Sequence, residues 1–277
     1  MQTLGPIADQ ATRCLRCQNL PNTLCGLSDS AGRAEIAAIS GPRIIAMGQT
    51  IIASGGPARV VGTVLAGVLK VSRTLPDGRE RIVSLLYPGD FFGQLFMECS
   101  DFAVEAATDV QICAAERLAF EGVLGRHPAL SRNMLIVAAN ALAQAREQVL
   151  LLSCQTTLER VATYVLVMLE RRERMMAGLE VQSLKATAAF MVSRADVASY
   201  LGTTFETISR HLHYFADRGV IAIINSSHFE VLQREELQTI AGVSSADIGL
   251  FFAPRPREQP ARKARHDVVP LTGRAAE

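Results

Sequence analysis

The stretch SRADVASYLGTTFETISRHL, residues 193–212, decides how the chain is to be read. Ser193 with Asp196 three residues on resembles a capping box, so a helix starts there. Val197 and Leu201 supply its apolar face, and Gly202 can end it in the left-handed conformation glycine tolerates. Thr203 is then expected to cap a second helix, with Glu206 in the reciprocal position. In that helix Phe205, Ile208, Leu212 and Phe215 form one stripe, expected to face inward. Glu206, Ser209, Arg210 and His213 form a polar face. A short helix behind a glycine turn, with a polar face of this type, fits a recognition helix that lies in a DNA major groove.

The chemistry of that face is specific. An arginine fork bonds guanine O6 and N7, a glutamate accepts from cytosine N4, and a serine hydroxyl serves either role. Glu206, Ser209 and Arg210 are the candidate base readers. Thr203 and Thr204, at the helix N-terminus, are candidates to hold phosphates and so fix register. A bland reading exists for each alone: Glu206 only closes a cap, and Arg210 is a solvated surface arginine. The combination Glu-x-x-Ser-Arg behind a glycine turn favours the functional one. After Gly219, the segments Val220–Ile224 and Phe229–Leu232, joined through Ser226-Ser227-His228, read as a β-hairpin wing.

Upstream the texture changes. Residues 31–125 open with a short helical stretch, Ala34–Ile39, and continue as short β-like runs. These are Thr50–Ala53, Val60–Ala66, Leu69–Ser72, Arg81–Leu86 and Val110–Ala114, divided by Gly55-Gly56, Pro76-Asp77-Gly78 and Pro88-Gly89-Asp90. Such spacing suggests a barrel or sandwich. In residues 126–154 the period becomes helical. Leu135, Ala138, Leu142, Ala145, Val149 and Leu152 are spaced as a coiled-coil seam. A second stripe, Ile136, Ala139, Ala143 and Leu150, is expected to pack on the β domain. A helix buried on two sides fits a homodimer helix. The two seam alanines bury little area each, so the interface is expected to be weak and switchable.

The chain has 277 residues, 49% of them hydrophobic, enough for a core in about two domains, and its net charge of +1 is uninformative. No run reaches the roughly 18 apolar residues of a membrane span. No charged start with an apolar run follows the N-terminus, so a cytoplasmic location is expected. Residues 1–30 are cysteine-rich, residues 155–245 form the helix-turn-helix unit, and residues 246–277 read as a disordered basic tail. Of six cysteines, Cys14, Cys17 and Cys25 cluster within twelve residues. In a cytosolic chain that pattern points to metal binding or redox chemistry. Cys99 and Cys154 are expected as small apolar core residues, Cys99 being the reserve ligand. No βαβ context surrounds Cys14 and Cys17, and no hydrolase or phosphate-loop motif appears, so an enzyme is not expected.

At this point the chain resembles the CRP/FNR family of bacterial transcription regulators. Its motifs here are Gly48-Gln49-Thr50, Pro88-Gly89-Asp90-Phe91-Phe92-Gly93, Leu150-Leu151-Leu152-Ser153, Tyr200-Leu201-Gly202 and Glu206-Thr207-Ile208-Ser209-Arg210. The resemblance spans residues 14–243. It implies an α+β chain: an N-terminal β-roll like a cyclic-nucleotide-binding jelly roll, a long dimerisation helix and a C-terminal winged helix-turn-helix. It also implies a dimer on inverted-repeat DNA, TTGAT half-sites as in the FNR branch, and contact with RNA polymerase. The turn Leu75–Arg81 is either a polymerase contact or a plain exposed hairpin. The cyclic-AMP branch grips its ligand with a Gly-Glu pair and an Arg-Ser/Thr. Here Gly93-Gln94-Leu95-Phe96-Met97 and Phe102-Ala-Val-Glu-Ala-Ala lack both charges, so cyclic AMP is not expected. No histidine lies in residues 31–125, so haem is poorly supported. FNR-type oxygen sensors hold a [4Fe-4S] cluster on three N-terminal cysteines and one in the roll. The resemblance assigns those roles to Cys14, Cys17, Cys25 and Cys113. Structural zinc or a regulatory disulfide on the same thiols stays open, since spacing alone does not choose.

Overall fold

A computed structural model describes residues 23–26, 28–176 and 187–251. After helix α1 (Ser30–Ile39), capped by the Asp29 carboxylate, eight strands form two antiparallel four-stranded sheets. The first runs β1 (Ser40–Ile45), β8 (Val110–Glu116), β3 (Val60–Ala66), β6 (Phe91–Phe92). The second runs β2 (Thr50–Ile52), β7 (Ala103–Ala106), β4 (Leu69–Thr74), β5 (Glu80–Leu86). Ile52, Val64, Leu69, Phe92, Val104 and Ile112 fill the space between them. The result is the expected roll.

In the roll, three strands and the helix that follows it were not legible. In β1, Gly41-Pro42-Arg43 reads as a turn, but β1 is an edge strand, where a proline costs no ladder partner. Strand β7 has two alanines and one β-branched residue, and is held by pairing with β2 and β4. Strand β6 has only two residues. Helix α2 (Arg117–Arg126) follows β8 directly, its first turn capped by the Glu116 carboxylate.

The long helix α3 spans Pro128–Cys154, with Pro128 in its first turn. Its covered stripe is not the expected one. Leu130, Met134 and Val137 pack with Leu24, Ile36, Phe120 and Leu124, and Gln148 and Leu151 are buried further along. Ile136 and Leu150, assigned to that role from sequence, are 37% and 53% exposed. The reason is polar. The covered stripe includes a glutamine whose amide nitrogen donates to a backbone carbonyl, and a reading built on apolar residues passes over it. Helix α3 is also long and apolar enough to cross a membrane by length and composition, although no uninterrupted apolar run in it reaches about 18 residues. Scattered polar residues such as Asn140 and Gln144 interrupt the runs without making the helix polar.

Beyond it lie α4 (Thr157–Met176), β9 (Thr187–Ala189), α5 (Arg194–Tyr200), α6 (Phe205–Asp217), β10 (Ile221–Ile223), β11 (His228–Val231), α7 (Arg234–Ala241) and α8 (Ser245–Leu250). The wing is three-stranded, ordered β10-β11-β9, where two strands were expected. The expected disordered tail starts too early: α8 has a full capping box from Ser244 and Asp247 and buries Ile248, while residues 252–277 lie outside the described residues.

The winged helix is docked on the roll. Ile82, Leu85 and Tyr87 of the roll share one core with Tyr164, Met168 and Leu201. The Tyr87 and Tyr164 hydroxyls are 3.3 Å apart, and the Ile82 N–H donates to Ser199 Oγ at 3.2 Å. The Arg171 guanidinium sits 3.7 Å from the Tyr87 ring centroid. Burial pushes the Asp90 carboxyl up, and the Arg171 charge and the Tyr87 N–H oppose that shift.

Candidate nucleic-acid interface

Helix α5 begins at Ser193, whose hydroxyl accepts from the Asp196 N–H. It ends at Gly202, where φ is +64°. That left-handed residue lets the chain reverse into α6. The cap of α6 is Thr204, one residue later than expected, and its hydroxyl accepts from the Thr207 N–H. Glu206 is therefore second in the helix and not the partner of a capping box on Thr203. Its own N–H and the Thr204 hydroxyl bond the carboxylate and, with Arg210 adding a smaller effect, hold it below the usual carboxylate range. An ionised Glu206 accepts hydrogen bonds and does not donate them.

Ile208, Leu212 and Phe215 anchor α6 in the core with no exposure. Phe205, expected in the same stripe, is 49% exposed. It sits four residues before Ser209, so it shares the outward face with Ser209 and His213. That face therefore carries an aromatic ring, and apolar contact is how proteins read a thymine methyl. Glu206 and Arg210 are exposed, and Ser209 is half-buried. Ser209 Oγ accepts from Arg194 Nη1 at 3.2 Å, while Arg194 Nε donates to the Ser226 carbonyl at 2.9 Å. Arg194 thus ties the first helix, the reading helix and the wing together. Sequence reading passed over it because an arginine at a helix start looks like surface. His211 lies on the inner side, with Nε2 3.1 Å from Thr157 Oγ1 at the start of α4. Burial first, and the Arg210 charge second, lower its pKa.

The predicted seam on α3 is open to solvent within one chain. Leu135 is 71% exposed, Leu142 52%, Val149 64% and Leu152 37%, and Ala138 and Ala145 are exposed beside them. Of the four cluster candidates, Cys14 and Cys17 lie outside the described residues. Cys25 and Cys113 line one cavity with Thr23, Ile36, Phe91 and Phe120. Cys113 Sγ is 3.6 Å from Ser40 Oγ. Among the described residues no three histidine, cysteine or acidic side chains are grouped as a metal site. Cys99 and Cys154 are exposed, not core residues: Cys99 sits on an isolated bridge to Pro57 and Cys154 ends α3 on its outer side.

Comparison with known proteins fits this architecture. The family described as cyclic nucleotide-binding domain matches residues 42–127, and the Crp-like helix-turn-helix domain matches residues 159–240. The chain is 33% identical to a "Probable transcriptional activator" of Rhizobium leguminosarum over 81% of its length and 91% of that protein's. It is 31% identical to the "Transcriptional activator protein FnrL" of Cereibacter sphaeroides over 88% of its length and 97% of that protein's. The structure of FixK2 from Bradyrhizobium japonicum superposes with a TM-score of 0.66 at 27% identity, covering 75% of this chain and all of that one. A β-roll carrying a Crp-like helix-turn-helix defines a DNA-binding transcription regulator. The chain belongs to the CRP/FNR family.

Proposed function

We propose that this regulator responds to oxygen or redox state through a [4Fe-4S] cluster held by Cys14, Cys17, Cys25 and Cys113, and binds inverted TTGAT-like half-sites as a homodimer. The observation that carries the sensing part is the shared cavity: Cys25 and Cys113, 88 residues apart in the sequence, both line it. Its walls are apolar and its sulfur donors soft, which suits a cluster that must be kept from bulk water. Such a cluster supplies an oxygen-labile crosslink between the N-terminal segment and the roll.

The path outward is a packed one. Leu24, beside Cys25, shares a cluster with Leu130, Met134 and Val137 of α3. Arg33 donates to the Cys25 carbonyl at 3.1 Å and to the Ser28 carbonyl at 2.9 Å, fixing that loop on α1. Holding the loop in place holds the start of α3, and so favours pairing of its exposed seam. Two reading helices about one helical turn apart then engage both half-sites. Glu206, Ser209 and Arg210 read bases, and Thr203 and Thr204 bind phosphate. Cyclic AMP is not the effector, since Gln94 stands where its branch has a glutamate and residues 93–97 form no helix to meet a phosphate. Haem lacks a histidine in the roll. The exposed β4–β5 turn at Pro76–Gly78 is the surface offered to RNA polymerase, and the protein acts in the cytoplasm.

The test is iron, zinc and acid-labile sulfide measured on protein purified without air, with Cys25→Ser and Cys113→Ser beside it. Iron and sulfide in equal amounts, lost in both variants and on exposure to air, are the expected result. Stoichiometric zinc without sulfide would sink the cluster and leave a structural zinc on the same thiolates.

A further inference from the structure

One side chain links three segments where the long helix meets the DNA-binding unit. Arg160, in the first turn of α4, donates to three backbone carbonyls from three segments. Nη2 reaches the Leu152 carbonyl at 2.6 Å, Nε the Gln155 carbonyl at 3.0 Å and Nη1 the Leu201 carbonyl at 3.1 Å. Leu152 is in the last turn of α3, where the final carbonyls have no partner within the helix. Gln155 is the connector. Leu201 directly precedes Gly202, the turn that aims α6. The neighbouring Tyr200 carbonyl is held by Gln148 Nε2 at 3.0 Å, from α3 itself. A Cβ placed on Gly202 would lie 3.5 Å from Leu152 Cδ2, so a seam residue abuts the turn.

The connector is locked as well. Gln155 Nε2 donates to the Ala241 carbonyl at 3.0 Å, and Gln155 Oε1 accepts from Thr163 at 3.2 Å. We propose that Arg160 is a positioning residue that carries the geometry of the paired long helices to the reading helix, and so sets the half-site spacing the dimer accepts. The guanidinium is planar with fixed donor directions, so three carbonyls around it define one arrangement. Rotating the winged helix about Gln155 pulls the Leu201 carbonyl away from that of Leu152 and breaks the set. A lysine offers one nitrogen and does not reproduce it. The inference rests on the DNA-binding fold and on dimerisation, and is independent of the cluster.

The experiment uses the full chain with Arg160→Lys, Arg160→Gln and, separately, Gln148→Met. Binding is measured to inverted half-sites at graded spacings and to a single half-site, with sedimentation for the dimer and circular dichroism for the fold. Expected are folded dimers with single-site binding within about twofold of the parent. Affinity at the best spacing falls about ten- to a hundredfold, the equivalent of one or two charge-assisted hydrogen bonds, and the preference between spacings flattens. Loss of equal size at every spacing and at the single site, or an unchanged spacing preference, overturns the proposal. Should the Arg160 variants not fold, Gln148→Met decides: unflattened spacing preference in that variant overturns it too.

Discussion

At the residue scale, the two charged side chains on the exposed face of α6 differ in how they are held. Arg210 is exposed and Glu206 keeps its carboxylate bonded to its own helix start, so Arg210 is the freer of the two to meet a base. Arg210→Ala is expected to lose about 1–3 kcal/mol of discrimination at one position of the site, with little change on random DNA. A uniform loss on all sequences, in a salt-titrated binding series, would instead mark it as a phosphate contact. Thr204→Ala removes the cap of α6 and is expected to cost about 1 kcal/mol in denaturant unfolding. An unchanged midpoint would mean the cap is idle. His211 makes a pH prediction. Its folded pKa is lowered, so the unfolded chain takes up the proton first as pH falls below about 6.5. Its stabilising contribution is present above that pH and is lost as pH falls through the folded value. His211→Gln should therefore lose less stability between pH about 7 and about 5.5 than the parent does. Equal losses in thermal melts at the two pH values would refute the assignment.

At the element scale, the long helix is the piece with a face left over. Its own fold covers Leu130, Met134, Val137, Gln148 and Leu151 and leaves Leu135, Leu142, Val149 and Leu152 in water. Leu142→Glu places a carboxylate on the seam of both copies and removes two leucines from it. The loss is roughly 3–6 kcal/mol of dimerisation free energy, with the single-chain fold intact. Sedimentation checks it, and a dimer constant that does not move would exclude this seam. The heptad, the glycine turn and most strands were legible because each is a local pattern. Val60–Ala66 was read to the residue. What was not legible depends on partners far along the chain. Pro42 is tolerated only because β1 is an edge, Ala103–Ala106 is a strand only because β2 and β4 flank it, and Gln148 is buried only because a carbonyl of α5 waits for it. Phe205 was misassigned for a related reason: a helix start whose cap shifts by one residue leaves its first side chain outside the core. That Cys25 and Cys113 line one cavity was not legible in their spacing, since 88 residues of chain separate the two.

At the scale of the whole molecule, the β-roll and the winged helix share one core. Ile82 lies on the roll yet belongs to the cluster of the winged helix, and is 6% exposed. Ile82→Ala is expected to cost roughly 2–4 kcal/mol and to split one calorimetric transition into two, as the units lose their common packing. A single transition shifted as a whole would show that docking does not depend on this contact. Each chain presents one reading helix and one uncovered apolar helix face. Occupying an operator then takes two protomers at once, so while unpaired chains predominate, occupancy follows the square of their concentration. Doubling the supply of protein raises it about fourfold. Gene dosage and turnover thus enter operator occupancy directly, and pairing through a helix face that carries alanines at Ala138 and Ala145 would keep the system in that steep regime over a wider range of protein supply.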